Sequence, residues 1–361
     1  MNKVTTNISS HKKENSALHN ENNFLLTVCV ITYNRGGRLL NSMPQYLKDL
    51  KSHNELLILD NASTEELKEY REIETVSKKY DNVRYIRKHK NTHPWGNFLD
   101  SFKNTKSRFL MVLSDEDFPN WKEIEITLNF LSKNPNIGVL KGSMEPIPGA
   151  PRNNSLAQRD RLHKKGRHAI TNFGMRNNYI SGTLYNMAVL NKNGLIEKLE
   201  VNLETQYHYP HIYLEMLACA VSDAAQTERV LVLEGFPVKN SNPDGIGQYT
   251  SPYSLGSRVD QFISLRDGLA DAVCLYKKDF CHNTFYTCYI NLCLKFFQLI
   301  LVVNNPLYEK NAISKDDLGN MFYYVCMSSI TNFEKTGQFE KSMYFINRVH
   351  QRLRKIRDQF E

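Results

Sequence analysis

The segment Phe109-Leu-Met-Val-Leu-Ser-Asp-Glu-Asp-Phe118 is an apolar run that passes directly into acidic residues. Its apolar part is typical of a buried strand that ends where the acids begin. Side chains two residues apart on an extended chain share a face, so Asp115 and Asp117 can converge while Glu116 points away. Open α/β sheets bind ligands beyond the carboxyl ends of their strands, so this segment predicts a ligand site.

Two interpretations of these acids compete. Asp115 and Asp117 could hold a hard divalent cation, Mn²⁺ or Mg²⁺, and leave coordination positions open for phosphate oxygens. Alternatively, they form an acidic turn before the helix that is predicted to begin near Lys122. A single Asp-x-Asp is weak evidence, so the neighbouring sequence has to distinguish a metal site from a cap.

On both sides of this segment, short apolar runs alternate with helical patterns. That alternation predicts an α/β fold with a mostly parallel, doubly wound sheet flanked by helices. The predicted strands are residues 25–31, 56–59, 83–87, 109–113 and 137–141, and the predicted helices are 38–51, 65–80, a segment from about 95, and 122–134.

The strand signals stop in the second half of the chain, where helical patterns take over. We therefore predict a polar tail over residues 1–23, a main domain over 24–252 and an α-helical C-terminal region over 253–361. Residues 285–303 are nearly apolar, but Asn291, Lys295 and Gln298 interrupt them at helical spacing. A charge at mid-span is costly in a bilayer, so a buried helix is favoured over a membrane span.

The composition limits the partners and the compartment. The 361 residues include 46 Lys and Arg against 38 Asp and Glu, a formal net charge of +8. No zinc-finger, RRM or KH-like motif accompanies this basic excess, so nucleic acid is not expected as a partner. Seven cysteines without paired spacing, and a polar start without an apolar signal segment, favour a cytoplasmic location.

The last helical pattern is basic and amphipathic. With Arg348, Arg352 and Lys355 beside its apolar stripe, it predicts peripheral binding to an anionic membrane surface, on the inner face of the plasma membrane. Docking of the same stripe on the rest of the chain is an equally good interpretation. The stripe consists of Met343, Ile346, Val349, Leu353, Ile356 and Phe360.

Further motifs precede the acidic strand in a fixed order. The first predicted strand ends in Val30-Ile-Thr-Tyr-Asn-Arg35 and the second in Leu59-Asp-Asn-Ala-Ser63, followed by Asn91, Gly96 and Asn97. Over residues 24–117 this series resembles the family 2 glycosyltransferases. The resemblance implies a GT-A fold, a Rossmann-like sheet whose first half, here 24–141, binds the nucleotide sugar and whose second half, 142–252, binds the acceptor.

The resemblance also implies roles for individual residues. Asp60 would accept from a base N–H or a ribose hydroxyl, Asn97 would shape the donor site, and Asp115 and Asp117 would bind the donor through the cation. Ser114 stands where an Asp is frequent in the family, which leaves open which two acids touch the ion. The residues implied to line the nucleoside pocket are Thr32, Tyr33, Asn34 and Arg35.

The implied activity is transfer of a sugar, from a donor expected to be a UDP-sugar, to a saccharide or lipid-linked acceptor. Inversion and a bacterial surface polysaccharide as the product are part of this expectation. The segment Asn178-Tyr-Ile-Ser-Gly182 resembles the strand and glycine before the acceptor site.

The catalytic base should be a group in the second half of the domain. We predict Glu204, which precedes a helix start at Pro210, with His211 as the second candidate. His211 and Glu215 lie one helical turn apart, so a pair that stabilises the helix is an open alternative.

Two other classes of protein remain possible at this stage. A nucleotidyltransferase of related fold would need a Gly-rich phosphate loop after the first strand, and Ile31-Thr-Tyr-Asn-Arg-Gly-Gly37 is not one. A catalytically silent nucleotide-sugar-binding protein would be expected to have lost Asp115 or Asp117, and both are present. A glycosyltransferase is therefore the leading prediction.

Overall fold

The structure is a computed structural model that describes residues 24–150, 158–176, 179–206, 208–236, 255–299, 314–336 and 339–358. The predicted polar tail, residues 1–23, lies outside these ranges.

The strands of the described residues form one mixed sheet. Its order is β3-β2-β1-β4-β8-β6-β9-β5, with β7 paired to β9. The strands are β1 Leu26–Thr32, β2 Asn54–Asp60, β3 Val83–Arg87, β4 Phe109–Ser114, β5 Asp117–Pro119, β6 Ile137–Pro146, β7 Arg161–His163, β8 Thr183–Asn186 and β9 Asp223–Glu234.

The first four strands are parallel, as the alternating sequence pattern predicts. β1 lies between β2 and β4, and its last residue Thr32 pairs with Asp60. On the other side Ile31 pairs with Ser114, so the carboxyl ends of three strands meet at one edge of the sheet. The polar residues that follow these strands are thereby brought together.

The other half of the sheet departs from the mostly parallel expectation. β8 is antiparallel to both β4 and β6, and β5 and β7 are antiparallel to β9. Only β6 and β9 pair in parallel in this half. A parallel pair needs a long crossover, whereas antiparallel strands of three or four residues can pair wherever the chain turns back.

Eight helices of the described residues belong to the part of the chain that contains the sheet. They are α1 Gly36–Leu47, α2 Leu67–Ser77, α3 His93–Lys103, α4 Trp121–Lys133, α5 Arg167–Ala169, α6 Met187–Lys192, α7 Leu195–Val201 and α8 Pro210–Val221, and α5 continues into a π-helical turn, Ile170–Gly174.

Successive residues of the central strands point to opposite faces of the sheet, which gives two cores. Val28 and Val30 of β1 pack in the core with Leu39 of α1 and Ile73 of α2. Cys29, between them on β1, packs in the second core with α3 and α8. The residues at the carboxyl edge therefore stand on strands that are held from both sides.

The C-terminal region is helical in its described parts. Its helices are α9 Leu255–Lys277, α10 His282–Gln298, α11 Lys315–Thr331 and α12 Phe339–Arg357. Phe285, Leu292 and Phe296 of α10 are fully buried in the second core, which agrees with the prediction of a buried helix. Among the described residues, no helix combines the length and the apolarity that a membrane crossing needs.

The centre of the apolar stripe of α12 is buried, and Phe360 at its end lies outside the described residues. Val349 and Leu353 are fully buried in the second core, while Met343 is exposed. The burial of its central residues favours docking of the stripe on the chain itself, and peripheral membrane binding stays a prediction. Arg348, Arg352 and Lys355 remain on the exposed side of the helix.

Candidate functional site

The end of β1 is tied to the acidic segment after β4. Thr32 is buried, and its hydroxyl donates to Asp115 Oδ2 at 2.8 Å and bonds with the Tyr70 hydroxyl at 3.0 Å. Arg35 Nη1 donates to Asp115 Oδ1 at 2.7 Å. The structure therefore brings together three residues that the sequence assigned to one nucleotide site, Thr32, Arg35 and Asp115.

Asn34 joins two loops at the same edge. Its φ of +52° lies in the left-handed region, which asparagine tolerates better than most residues. Its side-chain oxygen accepts from the backbone N–H of Thr64 at 2.8 Å, and its own N–H donates to Ser63 Oγ at 2.8 Å. Asn34 thus fixes the β1 turn against the β2 turn, and Tyr33 beside it is half-buried.

Asp60 at the end of β2 is fully buried, and both of its carboxylate oxygens accept hydrogen bonds. Its Oδ1 accepts from the Ser63 N–H at 2.9 Å and its Oδ2 from the Tyr85 hydroxyl at 2.8 Å, with Arg87 Nε at 3.5 Å. These contacts organise the turn after β2. A nucleoside role for Asp60 stays a prediction.

Asn97 of α3 lies behind the end of β2. Its side-chain N–H donates to the Leu59 carbonyl at 3.2 Å. Within the described part of the chain, its buried Oδ1 has no hydrogen-bond partner. The structure places Asn97 beside the predicted nucleoside pocket but does not test its role there.

Asp117 differs from Asp60 and Asp115 because only one of its two carboxylate oxygens accepts hydrogen bonds in the described residues. It is fully buried, and its Oδ2 accepts from Ser181 Oγ at 2.6 Å and from the Tyr179 hydroxyl at 2.8 Å. Its Oδ1 has no hydrogen-bond partner in the described residues. Burial raises the pKa of Asp117 to about 7, although the two hydroxyl donors oppose that rise.

Asp115 differs from Asp117 in having a built-in partner for each oxygen. Burial raises its pKa, and Arg35 and the Thr32 hydroxyl work against that rise. The two aspartates are therefore unequal ligands, because Asp115 is already neutralised by Arg35. Glu116 between them is half-buried, and the Tyr179 hydroxyl lies 3.4 Å from its Oε1.

The metal prediction can be tested against this donor set. In the ranges that the structure describes, no three His, Cys, Asp or Glu side chains group as ligands of one ion. The orphaned Oδ1 of Asp117 is a hard donor in a buried position, which fits a divalent cation that takes its other ligands from phosphate and water. Asp115 fits less well, because its oxygens already hold Thr32 and Arg35.

The residues that hold Asp117 from the opposite side were not predicted as site residues. Tyr179 and Ser181 stand in the segment that resembled the entrance to the acceptor site, and Lys141 of β6 lies beneath them. The sequence signals were the resemblance of this segment and its glycine, Gly182, which adopts a φ of +88°. Nothing in the sequence indicates that this turn meets the acidic segment.

The predicted catalytic bases lie in different surroundings. Glu204 is exposed in the turn after α7, so its carboxylate is in contact with solvent and is not desolvated by burial. His211 is 7% exposed, and burial lowers its pKa to about 3, with Lys141 and Lys295 adding to the effect. Glu215 is fully buried and accepts from Thr183 Oγ1 at 3.1 Å. The choice of base stays a prediction.

Comparison with known proteins adds two findings. Residues 27–194 match the family model described as glycosyl transferase family 2. The comparison with curated proteins finds no match.

Solved structures of S. aureus TarS resemble the fold. TarS 1-349 in complex with UDP has a TM-score of 0.53 and 13% identity, covering 93% of this chain and 90% of that chain. TarS 1-349 in complex with UDP-GlcNAc has a TM-score of 0.50 and 15% identity over 91% of both chains. A further structure described as TarS 1-349 has a TM-score of 0.50 and 14% identity over 91% of both chains. The GT-A-like arrangement, a mixed sheet flanked by helices with a helical C-terminal region, is confirmed.

Proposed function

Because residues 27–194 match the glycosyl transferase family 2 model, we propose that this chain transfers a sugar from a nucleotide-sugar donor to a saccharide or lipid-linked acceptor. One observation carries the proposal. At the carboxyl edge of the sheet, the buried Asp115 contacts Thr32 and Arg35, and the buried Asp117, two residues further on, has an Oδ1 without a hydrogen-bond partner in the described residues. A diphosphate with its cation would satisfy such an edge.

The proposed donor is a UDP-sugar. The structurally similar TarS 1-349 is described in complex with UDP and with UDP-GlcNAc, which supports this choice. The nucleoside would lie over the β1 and β2 turns, against Tyr33 and Asp60. Each carboxylate oxygen has two lone pairs, so Asp60 can accept a further hydrogen bond while it holds Ser63 and Tyr85.

The proposed cofactor is Mn²⁺ or Mg²⁺. Asp117 Oδ1 would hold it together with Asp115, provided that Arg35 shares or releases its carboxylate partner. A divalent ion in this position supplies positive charge to the diphosphate leaving group. Once released from Asp115, the Arg35 guanidinium would be able to donate a hydrogen bond to a phosphate oxygen of the donor.

The proposed reaction is a single displacement. An oxygen of the acceptor hydroxyl forms a bond to the anomeric carbon while the bond from that carbon to the diphosphate oxygen breaks. The hydroxyl proton passes to a base, and the anomeric configuration inverts. We keep Glu204 as the proposed base, and His211 as the alternative, whose imidazole is neutral but weakly basic because of its burial.

The proposed setting is synthesis of a bacterial surface polysaccharide at the cytoplasmic face of the membrane. The exposed Arg348, Arg352 and Lys355 of α12 support contact with anionic lipid, since each basic side chain near such a surface adds attraction. Contact would use this basic side, not the buried apolar stripe.

Calorimetric titration with nucleoside diphosphates tests the proposal. We expect UDP to bind in the presence of Mn²⁺ more tightly than in EDTA, and more tightly than GDP or ADP. Release of UDP from UDP-sugars in a screen of acceptors then tests turnover. Failure of every nucleoside diphosphate to bind would contradict the proposed function, whereas binding without transfer would favour a silent binding protein.

A further inference from the structure

We propose that Lys141 is a positioning residue that clamps the turn Tyr179–Gly182 and thereby holds Asp117 with one oxygen directed to its ligand. This inference deepens the proposed function and rests on it, because it assumes that Asp117 binds the cation or the diphosphate. Lys141 belongs to none of the sequence motifs that predict the site.

The first half of the clamp joins β6 to the turn. Lys141 is 2% exposed, and its ammonium donates to the carbonyl of Tyr179 at 3.0 Å and to that of Ser181. The next residue, Gly142, donates its backbone N–H to the Gly182 carbonyl at 3.1 Å. Three carbonyls of the turn, those of Tyr179, Ser181 and Gly182, are thus fixed from one strand. The φ of +88° at Gly182 allows the chain to turn there.

The second half of the clamp joins the turn to the acidic segment. The hydroxyls of Tyr179 and Ser181 both donate to Asp117 Oδ2, at 2.8 and 2.6 Å. Ser181 Oγ also accepts from the Ser114 N–H at 3.1 Å. Two donors on one oxygen determine the rotation of the carboxylate, and the other oxygen is left without a partner among the described residues.

A purely structural role does not explain why a charged residue is buried at position 141. Burial of its ammonium lowers its pKa to about 8, and the nearby carboxylates of Glu215 and Asp117 partly offset the cost. An apolar residue of similar length would avoid that cost. What the ammonium adds is the pair of hydrogen bonds that orders the two carbonyls on either side of Ile180.

Lys295 of α10 provides a matched control. Its ammonium also has a lowered pKa, of about 7, also lies near Glu215, and also donates to a backbone carbonyl, that of Met175 at 2.6 Å. Unlike Lys141, it has no hydrogen bond to the turn or to Asp117 in the part of the chain that the structure describes. Substitution of either lysine removes a buried charge, but only one substitution releases the clamp.

The experiment compares Lys141→Met with Lys295→Met in the full chain by titration with UDP, with Mn²⁺ and in EDTA. For Lys141→Met we expect the gain in UDP affinity that Mn²⁺ provides to fall by about tenfold or more, because charged hydrogen bonds that orient a ligand are lost. UDP affinity in EDTA should change by less than about threefold, since the β1 and β2 turns are untouched. Lys295→Met should retain the Mn²⁺ gain, and Lys141→Arg should restore part of it.

Each contrary outcome has a distinct meaning. If Lys141→Met folds and keeps the wild-type Mn²⁺ gain, or if Lys295→Met loses the gain equally, the positioning role is overturned while the proposed function stands. If the wild-type chain binds no UDP under either condition, the proposed function itself fails and the inference fails with it. If Lys141→Met does not fold, Tyr179→Phe combined with Ser181→Ala replaces it, and an unchanged Mn²⁺ gain there overturns the clamp.

Discussion

Asp117 is a buried carboxylate with one satisfied and one unsatisfied oxygen, a combination that favours binding at the expense of stability. We predict that Asp117→Asn lowers Mn²⁺-dependent turnover by about a hundredfold or more, because the amide is a poor ligand for a hard cation. The free energy of unfolding should stay equal or rise, since a desolvated charge is removed. Steady-state kinetics and urea unfolding in EDTA measure the two effects separately.

The matched variant for this prediction is Glu116→Gln, at the half-buried acid between the two aspartates. We expect it to reduce turnover less than Asp117→Asn does. A larger loss of turnover for Glu116→Gln would indicate that Glu116 binds the cation. This alternative is open because Ser114 stands where an Asp is frequent, so the sequence does not decide which two acids bind the ion.

His211 gives a prediction about acid stability. Its pKa in the folded chain is lowered to about 3, from an unfolded value of about 6.5. The unfolded chain therefore binds a proton between these pH values that the folded chain does not, so stability is lost as the pH falls. We expect the free energy of unfolding of His211→Gln to fall by about 1.5 kcal/mol less than that of wild type between pH 6.5 and 5. Urea unfolding at both pH values tests this, and equal losses would contradict it.

Among individual residues, the sequence predicted those site residues that lie at or just after the end of a strand. Thr32, Arg35 and Asp115 meet because β1 and β4 are neighbours in register, and the family resemblance had assigned these residues to one site. Lys141 and Ser181 could not be found in the same way. Their contact depends on β8 entering the sheet between β4 and β6, and a strand of four residues leaves almost no periodic signal.

Among the elements, α12 combines a buried stripe with a basic exposed side. Leu353 is fully buried, so we predict that Leu353→Ala lowers the free energy of unfolding by roughly 2–5 kcal/mol. Met343→Ala, at an exposed position of the same helix, should change it by less than about 0.5 kcal/mol. Equal effects in denaturant unfolding would show that α12 does not dock as described.

The basic side of α12 is tested with liposomes. We predict that reversing the charges of Arg348, Arg352 and Lys355 to Glu lowers partition onto anionic liposomes by about a hundredfold, because each basic residue contributes about 1 kcal/mol. Co-sedimentation with anionic and with neutral phosphatidylcholine liposomes measures it. Charge reversal of the exposed Lys68, Lys78 and Lys79 is the control. Equal pelleting of both triple variants would remove α12 as a membrane contact.

Charge reversal is preferable to truncation at this helix. Deleting α12 would remove Val349 and Leu353 from the second core, so a loss of pelleting could reflect unfolding alone. The amphipathic pattern of the sequence identified the helix but could not decide which side is covered, because docking and membrane binding require the same stripe.

For the molecule as a whole, the second core is continuous from the sheet to the C-terminal helices. Phe98 and Leu110 share it with Phe262 and Phe296. We therefore predict that residues 24–252, the range predicted as the main domain, do not fold cooperatively alone, because Leu110 and its neighbours would be exposed. Thermal unfolding followed by near-UV circular dichroism tests this. A sharp transition of the fragment near the wild-type Tm would contradict it.

The overall architecture was predictable in its parallel half, and beyond it for α4, the first part of β6 and the helical C-terminal region, but not for the short antiparallel strands. Strands β1 to β4 were foreseen to within about two residues at each end, as regular alternation allows. β5 and β7 have three residues each, and their partner β9 lies far along the chain, so neither local pattern nor turn chemistry reveals their pairing.

The pairing of β5 with β9 has a consequence for synthesis of the chain. Asp117 stands opposite Glu234, so the strand that carries the key carboxylate finds its partner only after more than a hundred further residues have been made. A nascent chain that ends before β9 already contains every residue of the motifs around β1, β2 and β4, yet its acidic segment has no sheet neighbour on that side. Pairings between such distant segments form slowly. The motifs around β1, β2 and β4 are thus synthesised early, whereas the strand that carries Asp117 can pair with β9 only late in synthesis.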